Sequence, residues 1–186
     1  MSRFKLSALL VLVTALVSGC ATQVTETPSK VTPATTDLGE FSQVILVKTE
    51  IAPTYASHPA NLKAVKKIDE ILAERLGGVL ENMQVKTLDQ IKSENLANNG
   101  NVLFIKPYVK QIKFIGGAAR FWAGAMAGSS VVIMDVAFED GANGTKLSNP
   151  GFMRKAGAYT DAFGVASNAM LDDVAQDVVN YVAANK

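Results

Sequence analysis

The sequence predicts an α+β domain, a mixed α/β sandwich in which two main helices cover a central sheet of about four to five strands. Two observations predict it. Val102–Phe114 and Ser129–Glu139 carry β-branched and aromatic side chains with the two-residue period of strands. Pro59–Asn82 and Asp161–Ala184 carry apolar side chains at the spacing of amphipathic helices. Such a sheet and such helices bury their apolar surfaces against each other.

The amino-acid composition limits which classes of function are expected. The chain has 186 residues, of which 48% are hydrophobic and 19% charged, which is typical of a globular protein. The net charge of +1 gives no electrostatic footprint for nucleic acid, so no nucleic-acid partner is predicted. The single cysteine cannot form an internal disulfide, and one cysteine with one histidine argues against a transition-metal site. We therefore predict no cofactor, no metal and no catalytic set.

The amino terminus is typical of a secretory signal peptide, predicted over residues 1–19. Arg3 and Lys5 precede an apolar run, Leu6–Val17, which is shorter than the about 20 residues that span a bilayer. The run ends in Val17–Cys20 (Val-Ser-Gly-Cys), which resembles the lipobox of bacterial lipoproteins. The resemblance implies cleavage before the cysteine, thioether lipidation of its sulfur and acylation of the new amino terminus.

Lipid attachment at Cys20 would fix the chain to a bilayer, because each buried methylene contributes about 0.8 kcal/mol. Ala21 stands where an aspartate would resemble an inner-membrane retention signal, so we expect the outer membrane, with the domain facing the periplasm. A plain secreted protein with an incidental Cys20 is the alternative. Residues 20–40, rich in Thr, Pro and Ser, are predicted to be a flexible tether, and residues 41–186 a single domain.

The elements of the domain follow in order. Phe41–Val47 is predicted to be a buried central strand, and Ile51–Ser57 a loop. The first main helix has Ser57 or His58 as its cap, and Gly77-Gly78 offers an early end. The smaller predicted elements are a strand at Met83–Leu88, a helix at Leu88–Leu96, turns at 98–100 and Gly141–Gly144, and strands at Thr145–Leu147 and Met153–Tyr159.

The strand Val102–Phe114 contains a proline. Its even spacing places Tyr108, Ile112 and Phe114 on one face. Pro107 cannot donate to a sheet ladder, so it predicts an edge strand or a bulge.

A glycine-rich loop is predicted between the two long strands, at Ile115–Gly128. It is too long for a tight turn, and it carries Arg120, Phe121 and Trp122. Arginine and tryptophan are over-represented at interface hot spots, so these three residues are the candidate partner surface. The alternative is that Trp122 packs back onto the core while Arg120 pairs with a nearby acid.

Other patterns point to no chemistry. His58 is expected to be exposed or to cap a helix, since no nucleophile or carboxylate accompanies it as a general base would require. Asp172-Asp173 and Asp177 are expected to form a solvated helix face rather than a cation site. The glycines of the loop lack the Lys-Ser/Thr end of a phosphate-binding motif.

The middle of the chain resembles bacterial lipoproteins grouped as domain of unknown function 4410. The residues that carry the resemblance are Gly116 or Gly117, Arg120-Phe121, Gly124, Gly128, the strand Val131–Phe138 and the turn Asp140–Gly144. The resemblance implies no known activity. The architecture it implies is similar to that of the curli secretion-channel lipoprotein and of the activators of penicillin-binding proteins, which is a likeness of fold alone.

Together these observations predict a membrane-anchored envelope lipoprotein with a non-enzymatic domain that binds another envelope protein. An oligomeric subunit of an outer-membrane export or pore assembly is the first alternative, so a homo-oligomer is compatible with the sequence. A hydrolase of an envelope polymer is the second alternative.

Overall fold

The computed structural model describes residues 25–96, 100–123, 127–157, 161 and 164–186, without the side chains of residues 120 and 123. These residues form seven strands and five helices. The strands are β1 (Gln43–Val47), β2 (Glu50–Ile51), β3 (Met83–Lys86), β4 (Val102–Lys113), β5 (Ser130–Asp140), β6 (Lys146–Ser148) and β7 (Gly151–Ala156). The helices are α1 (Pro53–Ala56), α2 (Pro59–Gly77), α3 (Leu88–Ser93), α4 (Gly117–Ala123) and α5 (Val165–Ala184).

The strands form one mixed sheet, and the predicted α+β class is confirmed. The order is β3-β1-β4-β5-β6, while β2 pairs with β4 and β7 pairs with β5. Because β1 and β2 succeed each other along β4, and β6 and β7 succeed each other along β5, the sheet is five positions wide. Strands β3, β1 and β4 run parallel, and β5 runs antiparallel to β4.

The core lies between one face of the sheet and the two long helices. Alternate residues of β5, from Val132 to Phe138, are fully buried. They belong to one apolar cluster with the stripes of α2 and α5. The opposite face carries a smaller cluster under α3, formed by Ile45, Val47, Ile91, Val102 and Phe104. A capping box between Thr87 and Gln90 begins α3, so the short helix predicted there is confirmed.

Pro107 does not mark an edge, because β4 is an interior strand with β1 and β2 on one side and β5 on the other. The nitrogen of Val136 donates to the oxygen of Pro150 at 2.9 Å, so its pairing with Pro107 is the type without hydrogen bonds. The proline nitrogen therefore faces the other neighbour, where β1 has ended at Val47 and β2 begins only at Glu50. No donor is needed at that gap.

A bulge at Lys110 reverses the faces of β4. The register shifts between Val109 and Gln111, so one extra residue lies in β4 at that point. Tyr108 is consequently 39% exposed whereas Ile112 is 1% exposed. The prediction that Tyr108 and Ile112 share a face is wrong, since the alternation on which it depends is interrupted.

Two boundaries differ from the sequence prediction. The segment Ile51–Ser57 is not simply a loop, because Ile51 ends β2 and a proline at the first position begins α1. The first main helix ends at the earlier of the two predicted positions, Gly77. His58 holds its N-cap position without a capping bond from the side chain. Of the turn predicted at 98–100, residues 98 and 99 lie outside the described residues.

Residues 25–40, which we call the N-terminal segment, lie against the body. Ser29 donates to Asp135 through its nitrogen at 3.0 Å and through its hydroxyl at 2.6 Å. The hydroxyl of Tyr181 donates to the oxygen of Thr32 at 2.7 Å. Leu38, in a single 3-10 turn, is fully buried in the main core. Hydrogen bonds to the sheet and to α5 thus hold a segment that has little apolar surface of its own.

Candidate docking site

The most exposed aromatic side chains among the described residues lie on α4. The predicted loop is a helix over these seven residues, and its alanines explain why, since alanine has the highest helix propensity. The rings of Phe121 and Trp122 form an edge-to-face pair with centroids 5.2 Å apart and planes at 87°. Phe121 is 61% exposed and Trp122 is 84% exposed. Trp122 therefore does not pack back onto the core. Arg120 lies in the same helix, and its side chain is outside the description.

A buried polar network holds the base of α4. The nitrogen of Ile115, just before α4, donates to the hydroxyl of Ser130, just after the loop, at 3.1 Å. The hydroxyls of Ser130 and Ser167 lie 2.7 Å apart. Ser167 in turn donates to Asp161, through its nitrogen at 3.1 Å and through its hydroxyl. Three distant parts of the chain are thereby joined close to the start of α4.

Sequence reasoning missed this network. One signal was available: Ser167 stands three and four residues before Met170 and Leu171, on the apolar stripe of α5. A polar side chain on an apolar face needs a buried partner. Ser130 and Asp161 gave no comparable signal.

Gly164 brings the start of α5 against the start of α4. Its φ is +79°, in the left-handed region that favours glycine. A Cβ atom built on Gly164 would lie 2.8 Å from the nitrogen of Gly117. This close approach of two backbones, together with the polar network, fixes where α4 leaves the body.

Beside α4 lies a half-open groove of about 730 Å³. Its lining includes Tyr55 and His58 from the start of the α1–α2 region, Lys113 and Phe114 from the end of β4, and Ala119 from α4. None of the described lining residues is acidic. The groove therefore offers apolar surface together with one lysine and several hydroxyl groups.

Asn61 joins the walls of this groove. Its side-chain oxygen accepts from the nitrogen of Phe114 at 3.0 Å, and its side-chain nitrogen donates to the oxygen of Tyr55 at 3.3 Å. It is 6% exposed, so both bonds are shielded. These bonds satisfy backbone groups where β4 leaves the sheet, which is a structural role.

The N-terminal segment begins at the same place. Thr25 lines the groove together with Ala119. The nitrogens of Thr25 and Glu26 both donate to the side-chain oxygen of Gln111, at 3.2 and 3.1 Å. The chain therefore meets the body next to α4.

Two of the three aspartates of α5 pair with arginines. Asp172 accepts from Arg75 at 2.7 Å, and Asp177 accepts from Arg154 at 2.6 Å. The hydrogen bond and the charge of Asp177 raise the pKa of Arg154 above its usual value. No group of three potential metal ligands lies close together within the described residues.

The proposed lipid site, Cys20, lies outside the described residues, as do the predicted signal peptide and the first part of the predicted tether. Within the part of the chain that the structure covers, no helix combines the length and the apolar character needed to cross a bilayer.

No protein-family model matches the chain and no curated protein matches it, so membership of the family of domain of unknown function 4410 stays a prediction. Solved structures do match. The PelC dodecamer from Paraburkholderia phytofirmans is 17% identical, with a TM-score of 0.50 over 77% of this chain and 90% of its own.

Two further structures are less similar. A Xanthomonas campestris protein of the family of domain of unknown function 330 is 10% identical, with a TM-score of 0.49 over 85% of this chain and 94% of its own. The lipoprotein GNA1162 from Neisseria meningitidis is 13% identical, with a TM-score of 0.44 over 76% of this chain and 99% of its own. At such identities the likeness is one of fold alone, and the fold of this chain is similar to that of a PelC subunit.

Proposed function

We propose that the protein is an envelope lipoprotein, held at the outer membrane by an acylated Cys20, and that its domain acts by docking on another envelope component rather than by catalysis. The lipobox-like sequence supports the anchor. The observation that carries the docking role is the exposure of Phe121 and Trp122 on a helix whose base is fixed. Aromatic side chains on a rigid support are the usual anchors of recognition surfaces.

The surroundings of the one imidazole support docking over hydrolysis. His58 lies in the groove beside α4, where the described lining provides no carboxylate. A general base of the usual kind needs such a group, or a bound metal, to orient it. Ser167, one of the two serines of the buried network, bonds to Asp161 and Ser130 without a histidine among its described partners.

Photo-crosslinking in cells tests the docking role. A photoreactive amino acid at position 122 is expected to give a discrete adduct, with another envelope protein or with lipid. The matched control is the same amino acid in place of Val85, which is exposed on the edge strand β3 and remote from α4. Equal adducts from both positions, or none from position 122, would contradict the proposal.

Self-assembly is a second candidate function. The specific observation that favours it is that the matching PelC structure is a dodecamer. Among the described strands, β3 pairs with β1 alone and β7 with β5 alone, so each leaves one side for a further strand. Native mass spectrometry of the acylated protein in detergent tests this candidate, and a spectrum with monomers alone would dismiss it.

A further inference from the structure

We infer that α4 lies against the lipid headgroups of the bilayer that carries the chain's own anchor, with Phe121 and Trp122 in the interfacial layer. This inference rests on the proposed anchor at Cys20, and it names the envelope component that the docking site meets. Its basis is that the anchored end of the chain and the exposed aromatic pair lie at the same end of the body.

The short linker limits the distance between Cys20 and the body. If residues 20–40 were a free tether, covalent geometry would let them extend to about 70 Å. The N-terminal segment instead contacts the body from Thr25 onward. Only residues 21–24 then separate Cys20 from the body, and five residue-to-residue steps reach at most about 17 Å. The point where the chain enters the body must lie that close to the anchored residue.

The first described residue of the chain lies near α4. Thr25, the first described residue, lines the same groove as Ala119, so the described chain begins on the side of the body that carries α4. Trp122 is three residues further along this helix, a rise of about 4.5 Å. The bilayer end of the linker is therefore also the α4 end of the domain.

The chemistry of this end suits a lipid surface. Tryptophan concentrates at membrane interfaces, where its ring is apolar and its N–H remains near water. The side-chain amine of Lys113 lies close to Gly128, since a Cβ atom built on Gly128 would be 3.3 Å from it. Cationic side chains at the membrane surface attract anionic headgroups, and the described groove lining adds no opposing carboxylate.

The size of the patch favours lipid over a protein partner. Two aromatic side chains bury at most about 500 Å² together, and α4 has seven residues. A stable protein interface needs roughly 800 Å² from each partner. Insertion into the headgroup layer has no such threshold, because the lipid anchor already holds the two surfaces together.

The chain contains one tryptophan, so its own fluorescence tests the inference. The acylated mature protein is reconstituted into vesicles of phosphatidylethanolamine and phosphatidylglycerol, with and without bromine on the acyl chains. We expect the emission of Trp122 to shift to shorter wavelength relative to the unacylated C20S protein in buffer, and brominated lipid to quench most of it.

A matched control moves the tryptophan. In the double variant W122F/V85W the probe lies on β3, which pairs through β1 with the part of β4 about eight residues before its end, roughly 26 Å away along the strand. We expect little quenching there. Equal quenching at the two positions would show that the body has no preferred orientation, and would overturn the inference.

The remaining outcomes separate this inference from the proposed function. If the wild-type protein floats with the vesicles while Trp122 is unquenched, the anchor stands and the lipid contact is wrong. A crosslink from position 122 to a protein would then identify the occupant of α4. If the wild-type protein does not float with the vesicles, both the anchor and this inference are overturned.

Discussion

Replacing Leu38 with alanine tests whether the N-terminal segment is part of the folded body. Leu38 is fully buried in the main core, and truncation of a buried leucine typically costs 2–5 kcal/mol in unfolding free energy. We expect a loss of about 3 kcal/mol, since the site lies at one end of the core and can partly relax. For a domain of this size that corresponds to a fall in melting temperature of about 6–12 °C.

The assay is urea denaturation of the unacylated C20S protein, followed by far-ultraviolet circular dichroism. Val31→Ala is the matched control, because Val31 belongs to the same segment and is 55% exposed. Its expected effect is within about 0.5 kcal/mol. If L38A is no less stable than V31A, the segment does not pack, the linker to Cys20 is long, and the argument for a membrane-facing α4 fails.

Three further substitutions test the site and its surroundings. Gly164→Ala is expected to destabilise the protein by about 2–3 kcal/mol, because the alanine would be held at a left-handed φ and its Cβ would crowd Gly117. Gly144→Ala has the same strain of φ but open space around the new Cβ, so it should cost only about 1 kcal/mol. Equal thermal shifts for the two variants would refute the close approach. Ser167→Ala removes one hydroxyl donor from the buried carboxylate of Asp161 and the hydroxyl partner of Ser130, and should cost about 1–3 kcal/mol by urea denaturation. A neutral result would show that the network does not hold the base of α4. Burial raises the pKa of Asp69, so the folded protein binds that proton more tightly than the unfolded chain, and wild-type stability falls as the pH rises from the unfolded pKa through the raised folded pKa. Asp69→Asn should therefore gain stability relative to the wild type between acid and neutral pH, and a pH-independent difference would contradict the raised pKa.

The long elements were predictable because their patterns are local. Strand β5 keeps the two-residue period that places Val132, Met134, Val136 and Phe138 on one face, and α5 carries an apolar stripe, so both appear at about the expected positions. Phe121 and Trp122 also stand out in sequence within a run of small residues, although the sequence left open whether Trp122 is exposed or packs onto the core.

The features that local sequence patterns did not reveal depend on contacts between residues that are far apart in the chain. The bulge at Lys110 leaves no mark in composition, and it changes which residues of β4 face the core. Pro107 is tolerated in an interior strand only because the neighbouring strand is interrupted there. The N-terminal segment has the composition of a tether, yet Asp135 and Tyr181, more than a hundred residues away in sequence, supply its hydrogen bonds. Nothing local in residues 25–40 reveals those partners.

The central claim is that an acylated Cys20 holds this domain at a membrane. Intact-mass measurement of the purified mature protein, alongside membrane fractionation of the wild type and Cys20→Ser, tests it most directly. The account predicts a wild-type chain that begins at Cys20 with the added mass of its acyl groups and fractionates with membranes, and a C20S chain that is unmodified and released into the soluble fraction. An unmodified wild-type cysteine, or a C20S protein that remains with the membranes as the wild type does, would contradict it.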